Sequence, residues 1–295
     1  TEGSEAGHSE HSHATQEDLV VKLGDIHIQD WISLNPFAPP VKGDVSADMR
    51  LNRSSGVLLG QGTLGVTNFY YNRRKVVDIG ADFNVAANIA GQINAHAALS
   101  LDGRKVMDLS GALNDSTAKS PLSMDLSLIS VPLDALNPFI PKTVGSLRGT
   151  LNGSMDVSGK SDKPVLNGWM AFDSTAVLLT MTGTEYAFND VKIPVENSAM
   201  QFRGFTISGT NDKPLSVNGS VNLSDFANPG VDLRLQADGM QIINTNRARR
   251  GADLFGKAFI GLKANAKGNM NFMAVDASLR ILPGTNVTYV MPDAT

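Results

Sequence analysis

Side-chain catalysis needs groups held within hydrogen-bond reach of one another, so the histidines are the first place to look. Outside the first seventeen residues the histidines are His27 and His96. Each stands alone in a run that reads as a strand, and a base without an adjacent partner reads as a surface residue. His8, His11 and His13 lie in a polar segment with Glu2, Glu5, Glu10 and Glu17. That segment, residues 1–17, lacks the apolar content needed to offset ordering entropy. It reads as a disordered acidic tail, in which three imidazoles fix no metal geometry. The chain has no Cys, hence no thiol chemistry and no disulfide, which leaves the compartment open. There is no His-Glu-x-x-His, phosphate loop or nucleophile elbow. No pair of carboxylates is obliged by spacing to share a cleft. These residues predict a non-enzymatic protein without cofactor or metal.

The charged residues add little. The formal net charge of −4 gives no reason to expect nucleic acid as a partner. The clusters Arg73-Arg74-Lys75 and Arg247, Arg249, Arg250 could attract lipid head groups. Three charges in a loop more simply describe a solvated hairpin tip and a solvated loop. No apolar run is long enough to cross a bilayer as a helix. The chain begins without Met and stops within what looks like a repeat, so it reads as a fragment of a longer chain.

What positions the remaining residues is repetition. Asp18-Leu19, Asp125-Leu126 and Asp232-Leu233 recur at 107-residue intervals, each opening a strand-like run. Leu34-Asn35-Pro36-Phe37-Ala38-Pro39 returns as Leu136-Asn137-Pro138-Phe139-Ile140-Pro141. In each, Pro fixes a corner and Phe covers the end of an apolar layer. Leu147–Met155 likewise returns as Leu262–Met270. The expected units are 18–124, 125–231 and a truncated 232–295, stacked as one array.

Within the units, apolar and polar residues alternate with the period of a strand. Ile93 and Leu99 face one way, His96 and Ser100 the other. The same parity selects Met124, Leu126 and Leu128, then Leu147, Leu151, Met155 and Val157. It continues through Met200, Phe202, Val217, Val221, Leu223, Leu233, Leu235, Ile260, Leu262, Met270 and Phe272. One greasy and one wet face per strand predicts an all-β, elongated, antiparallel-rich sheet. Leu101–Arg104, Gly159–Pro164 and Gly209–Pro214 read as hairpin loops. The alternation changes phase at Phe202-Arg203-Gly204-Phe205, which predicts a β-bulge near Gly204. Short helices are expected at Val131–Leu136, stopped by Pro138, and at Asn246–Ala258.

The apolar face is the best functional candidate. It could be the core of a closed sandwich, or a trough left open for an apolar ligand. Aromatics at 6% of the chain and a lining of aliphatic side chains, Ala and adaptable Met lean toward the trough. From pattern alone both readings stand.

The segment Gly159-Lys160-Ser161-Asp162-Lys163-Pro164-Val165-Leu166-Asn167-Gly168-Trp169 carries a glycine-based strand opener, and Ile207–Gly219 continues its cadence. Over residues 18–295 the chain resembles the TamB/AsmA-like family. Its end, Leu254–Ala258 through Pro283–Val287, is similar to the C-terminal TamB region of Bacteroidetes-type bacteria. The resemblance implies a β-taco, a curved sheet with an apolar concave interior, in the periplasm of a Gram-negative bacterium. It implies an anchor in the inner membrane and a partner barrel of the TamA/BamA type, both engaged through segments outside this sequence. The implied function is lipid transport in outer-membrane biogenesis, with the inward residues above lining a groove for phospholipid acyl chains. An earlier association of the family, assembly of outer-membrane barrels, gives the alternative of a scaffold that templates strands by edge pairing. A polysaccharide-binding sandwich is the third reading and would need exposed aromatics such as Trp31 or Trp169.

Overall fold

The computed structural model describes residues 17–32, 40–54, 57–89, 91–114, 121–142, 144–245 and 254–289. The polar segment 1–16, the first Asn-Pro-Phe corner and the arginines 247–250 lie outside these residues.

Among the described residues eighteen strands form one sheet. The first seven are β1 (Glu17–His27), β2 (Val41–Ser54), β3 (Val57–Tyr71), β4 (Arg74–Lys75), β5 (Ile79–Ala87), β6 (Ile93–Leu101) and β7 (Arg104–Leu113). The next seven are β8 (Leu122–Pro132), β9 (Gly145–Lys160), β10 (Lys163–Leu179), β11 (Thr184–Phe188), β12 (Ile193–Glu196), β13 (Ala199–Ser208) and β14 (Leu215–Asn222). The last four are β15 (Gly230–Thr245), β16 (Leu254–Asn269), β17 (Met273–Ile281) and β18 (Asn286–Tyr289). Asp18, Asp125 and Asp232 therefore fall near the starts of β1, β8 and β15, seven strands apart each time.

Every pairing in the register is antiparallel, and the long strands run as a meander from β1 to β17. Short strands share a neighbour: β11 and β12 both lie between β10 and β13. The sheet is not a closed barrel. Among the described residues β1 pairs with β2 alone, and β17 and β18 pair with β16.

Turn chemistry accounts for the hairpins. Asn72 and Arg73 both take positive φ, 49° and 63°, and Asp102 and Gly103 take 47° and 74°. Two consecutive left-handed residues match the twist of the flanking strands, so the connection can be two residues long. The expected bulge is present: the β13–β14 register slips between Phe202 and Phe205. Gly204 supplies the required φ of +73°. The Asn218 carboxamide oxygen accepts the Gly204 amide at 3.2 Å, and the Asn189 side chain donates to its carbonyl at 3.3 Å.

Two helical expectations change. β8 continues to Pro132, and the next turn is a 3-10 helix over Leu133–Phe139 that contains Pro138. At seven residues the run is long for a 3-10 helix, and Pro138, without an amide proton, sits next to its end. The Asn137 side chain holds the turn to the sheet, donating to the Leu147 carbonyl at 2.8 Å and accepting the Leu147 amide at 2.7 Å. Residues 254–258, expected as the end of a helix, open strand β16 instead. Gly256 at φ +113° and the Leu254/Gly256/Ala258/Ile260 alternation favour extended backbone there. The solvated reading of Arg74 also changes: its guanidinium donates to the carbonyls of Pro138 and Ile140.

Candidate functional site: an apolar face open at both ends

Residues directly opposite in an antiparallel ladder project to the same side of the sheet. Register therefore traces a face from strand to strand. Leu99 opposes Met107, and Met107 opposes Leu128. Leu126 opposes Met155, Met124 opposes Val157 and Val131 opposes Leu151. Leu151 opposes Phe172, and Leu147 opposes Val177. Gly168 opposes Val195, which opposes Met200. Met200 opposes Val221 and Phe205 opposes Val217, which opposes Leu235. Leu233 opposes Ala266 and Ala237 opposes Leu262. Leu262 and Ile260 oppose Leu279 and Ile281.

The face extends the other way through Ala87 beside Ile93, Phe83 beside Ala97, Gly62, Met49 and Val21. All the inward residues read from the sequence that lie in strands share it. Three lie beyond strand ends. Leu223 follows β14, and Met270 and Phe272 stand in the turn between β16 and β17 rather than on a strand. The alternation could not reveal this, because Asn269 and Asn271 preserve its parity through the turn.

Burial along this face is graded. At the β1–β3 end Leu19 is 54% and Leu64 44% exposed, and at the β17 end Leu279 is 61% and Ile281 75% exposed. Between them Met155, Leu166 and Val195 form one buried cluster, and Ile193, Phe205 and Val217 form a second. Phe172, Phe188, Phe202 and Phe205 pack there with ring centroids 5.2–5.9 Å apart, largely edge to face. Sequence reasoning missed this gathering. It weighed the low total of aromatics and not their convergence. The available signal was the bulge: at three residues apart in a regular strand, Phe202 and Phe205 would lie on opposite faces, and the slip between them puts both on one.

The opposite face is wet. Arg148 and Glu185 form a two-point ion pair, with contacts of 3.1 and 2.6 Å. Arg203 binds Glu196 at 3.1 Å. Neither histidine is alone. His27 Nδ1 lies 2.8 Å from Asp44 Oδ1, and His96 Nε2 lies 3.1 Å from Asp108 Oδ2, which also meets Lys105 Nζ at 2.6 Å. Hydrogen bonds from Asn68 and His27 hold the Asp44 carboxyl below its usual range, and Lys105 and His96 do the same for Asp108. Asp125 and Asp156, both exposed, oppose each other across β8 and β9. These groups lie on an open surface, where nothing dehydrates a substrate. Trp169 is on this face too, with Lys192 Nζ 3.9 Å from its ring centroid. One π-face of Trp169 is thus engaged by a cation, while Trp31, the other tryptophan, is 71% exposed.

Residues 203–295 match the family model of the TamB C-terminal domain. The TamB match begins inside the β13 bulge and takes in β14 to β18, with the more exposed end of the face. No curated protein matches the chain, and no solved structure matches it. No helix among the described residues is long and apolar enough to cross a membrane.

Proposed function

We propose that the apolar face carries phospholipid acyl chains along the sheet while head groups stay in water at its edges. The protein is then a segment of a periplasmic bridge between inner and outer membranes. The observation that carries this reading is the unbroken apolar register from β1 to β17, solvent-open at both ends. Each CH2 moved from water onto such a lining gains about 0.8 kcal/mol, so a lipid is held without any specific contact. A lining that is aliphatic throughout its exposed ends offers no single deep trap there. The TamB match over residues 203–295 supports a place in the cell envelope and an outer-membrane barrel of the TamA type as partner. The second reading, a scaffold for barrel strands, draws on β1, whose described pairing is with β2 alone, an available edge for strand addition.

Leu151→Asp and Leu262→Asp, on the apolar face, should block lipid passage in the full-length protein. Asn152→Asp and Lys263→Asp, one residue away on the wet face, should not. A carboxylate on the lining must be dehydrated without a partner as a chain passes. Photo-crosslinking to lipid from these positions reads the difference directly. Equal labelling from both faces would remove the trough and promote the scaffold.

A further inference from the structure

The apolar face is open at its two ends and occupied by its own side chains in the middle. We propose that Phe172, Phe188, Phe202 and Phe205 form a constriction that an acyl chain must part in order to pass, a gate that selects slender apolar cargo. This rests on the trough reading and adds to it.

The four rings come from three strands, and each arrives on the apolar face by register. Phe172 opposes Leu151 and Phe188 opposes Ile207. Phe202 and Phe205 oppose Gly219 and Val217. Two irregularities make the gathering possible. The Gly204 bulge turns both Phe202 and Phe205 inward. The β9–β10 register slips between Asp173 and Ala176, where Ser174 takes φ +49°. That slip keeps both Phe172 and Val177 on the apolar side. Phe205 is the deepest of the four rings, 4% exposed, and Ile193 beside it is 1% exposed.

Phe172, Phe188 and Phe202 pack against Ile193, Phe205 and Val217, so a chain seated on that floor must displace at least one ring. Phe202 and Phe188 are half-buried and lie over the more deeply placed Ile193 and Phe205, so they are the rings able to swing. An aromatic ring turns about two side-chain torsions, and its departure exposes an apolar floor that an acyl chain can cover. A bulky or polar cargo has no such compensation. The open ends carry no comparable aromatic cluster among the described residues, which places selection at the middle of the face.

The test uses the full chain, which has no native Cys, with single cysteines at Leu64, Val217 and Leu279. Without lipid, maleimide should label Leu64→Cys and Leu279→Cys at least about tenfold faster than Val217→Cys, because the last reacts through opened states only. Equal rates at all three would overturn the constriction without involving lipid. A photoreactive group at the same positions is then exposed to vesicles of phosphatidylethanolamine and phosphatidylglycerol. Labelling should be strong at the ends and weak at Val217. The pair Phe188→Ala and Phe202→Ala should raise Val217 labelling several-fold, with the ends unchanged. The same pair changed to Leu, which refills most of the volume, should restore the weak signal. A rise at all three positions together would indicate loosened folding and sink the gate. Absence of lipid labelling everywhere would defeat the trough. In that event slow thiol labelling at Val217→Cys would mark a plain core and defeat the gate with it.

Discussion

The Tyr71 ring at the end of β3 lies 4.8 Å from the ring of Phe139, the last residue of the 3-10 turn after β8, although β5, β6 and β7 separate β3 from β8. Four strand spacings in a flat sheet are about 19 Å. The β3–β4 hairpin and the 3-10 turn therefore bend toward each other across one end of the intervening strands. Arg74 completes the bridge through the Pro138 and Ile140 carbonyls. A related contact occurs in the next unit, where the Tyr186 hydroxyl on β11 donates to the Ile242 carbonyl on β15 at 2.6 Å. Both contacts lie on the same rim of the sheet, one reaching the turn after β8 and the other reaching β15 itself.

The Tyr71–Phe139 contact should contribute measurably to stability. A double-mutant cycle of Tyr71→Ala and Phe139→Ala, read by urea unfolding, is expected to give a coupling of about 0.5–1.5 kcal/mol. Additive effects would show that the ring contact is incidental.

Gly204→Ala should cost about 1 kcal/mol. A Cβ there meets nothing within 4 Å, so the penalty comes from φ alone. Deleting Gly204 should be tolerated at least as well, because it removes the extra residue and leaves Phe202 and Phe205 two residues apart, so Phe205 and Ile207 stay on the apolar face opposite Val217 and Leu215. Thermal melts of both variants compare the two costs.

Asp125 and Asp156 oppose each other on adjacent strands, an arrangement that costs stability. Asp125→Asn should raise the urea midpoint, by an increment corresponding to roughly 0.2–1 kcal/mol. The gain should shrink in high salt as the repulsion is screened.

Asp108 gives a pH-dependent prediction. Its folded-state pKa is lowered by Lys105 and His96. The associated stability is therefore complete above the unfolded-state value, about 3.9. It is lost as pH falls through the depressed folded value. Asp108→Asn should be less stable than the parent at pH 6, with the gap closing toward pH 3. The group is near the surface, so the effect is small, and a gap that widens in acid would refute the assignment.

The apolar face should not behave as a uniform core. Val217→Asp buries an unpaired charge and should cost several kcal/mol, whereas Leu279→Asp, at an exposed position, should be close to neutral. Chemical denaturation distinguishes them, and equal large losses would mean that the β17 end is covered.

Much of this was legible because a two-residue period is a local signal. The parity of Leu151, Val221 and Leu262 and the slip at Gly204 are both written in neighbouring residues. The gathering of four phenylalanines was not, because it depends on how two bulges in separate strands rotate distant side chains into one place. The histidine–aspartate pairs were hidden for a similar reason: Asp44 and Asp108 come from other strands, and only register brings them near. The β16 opening misled because Ala, Leu and Phe are compatible with either backbone, and the ladder with β15 decided it.

The meander also governs how such a chain reaches its folded form. Nearly every strand bonds to the strands just before and after it, so contacts are short in sequence and loop closure is inexpensive. A chain delivered end first, from a ribosome or through a translocation pore, can zip up strand by strand without waiting for its remainder. Each newly docked strand offers a fresh edge to the next. Growth of this kind can proceed strand by strand, so a meander can lengthen while its cross-section stays the same.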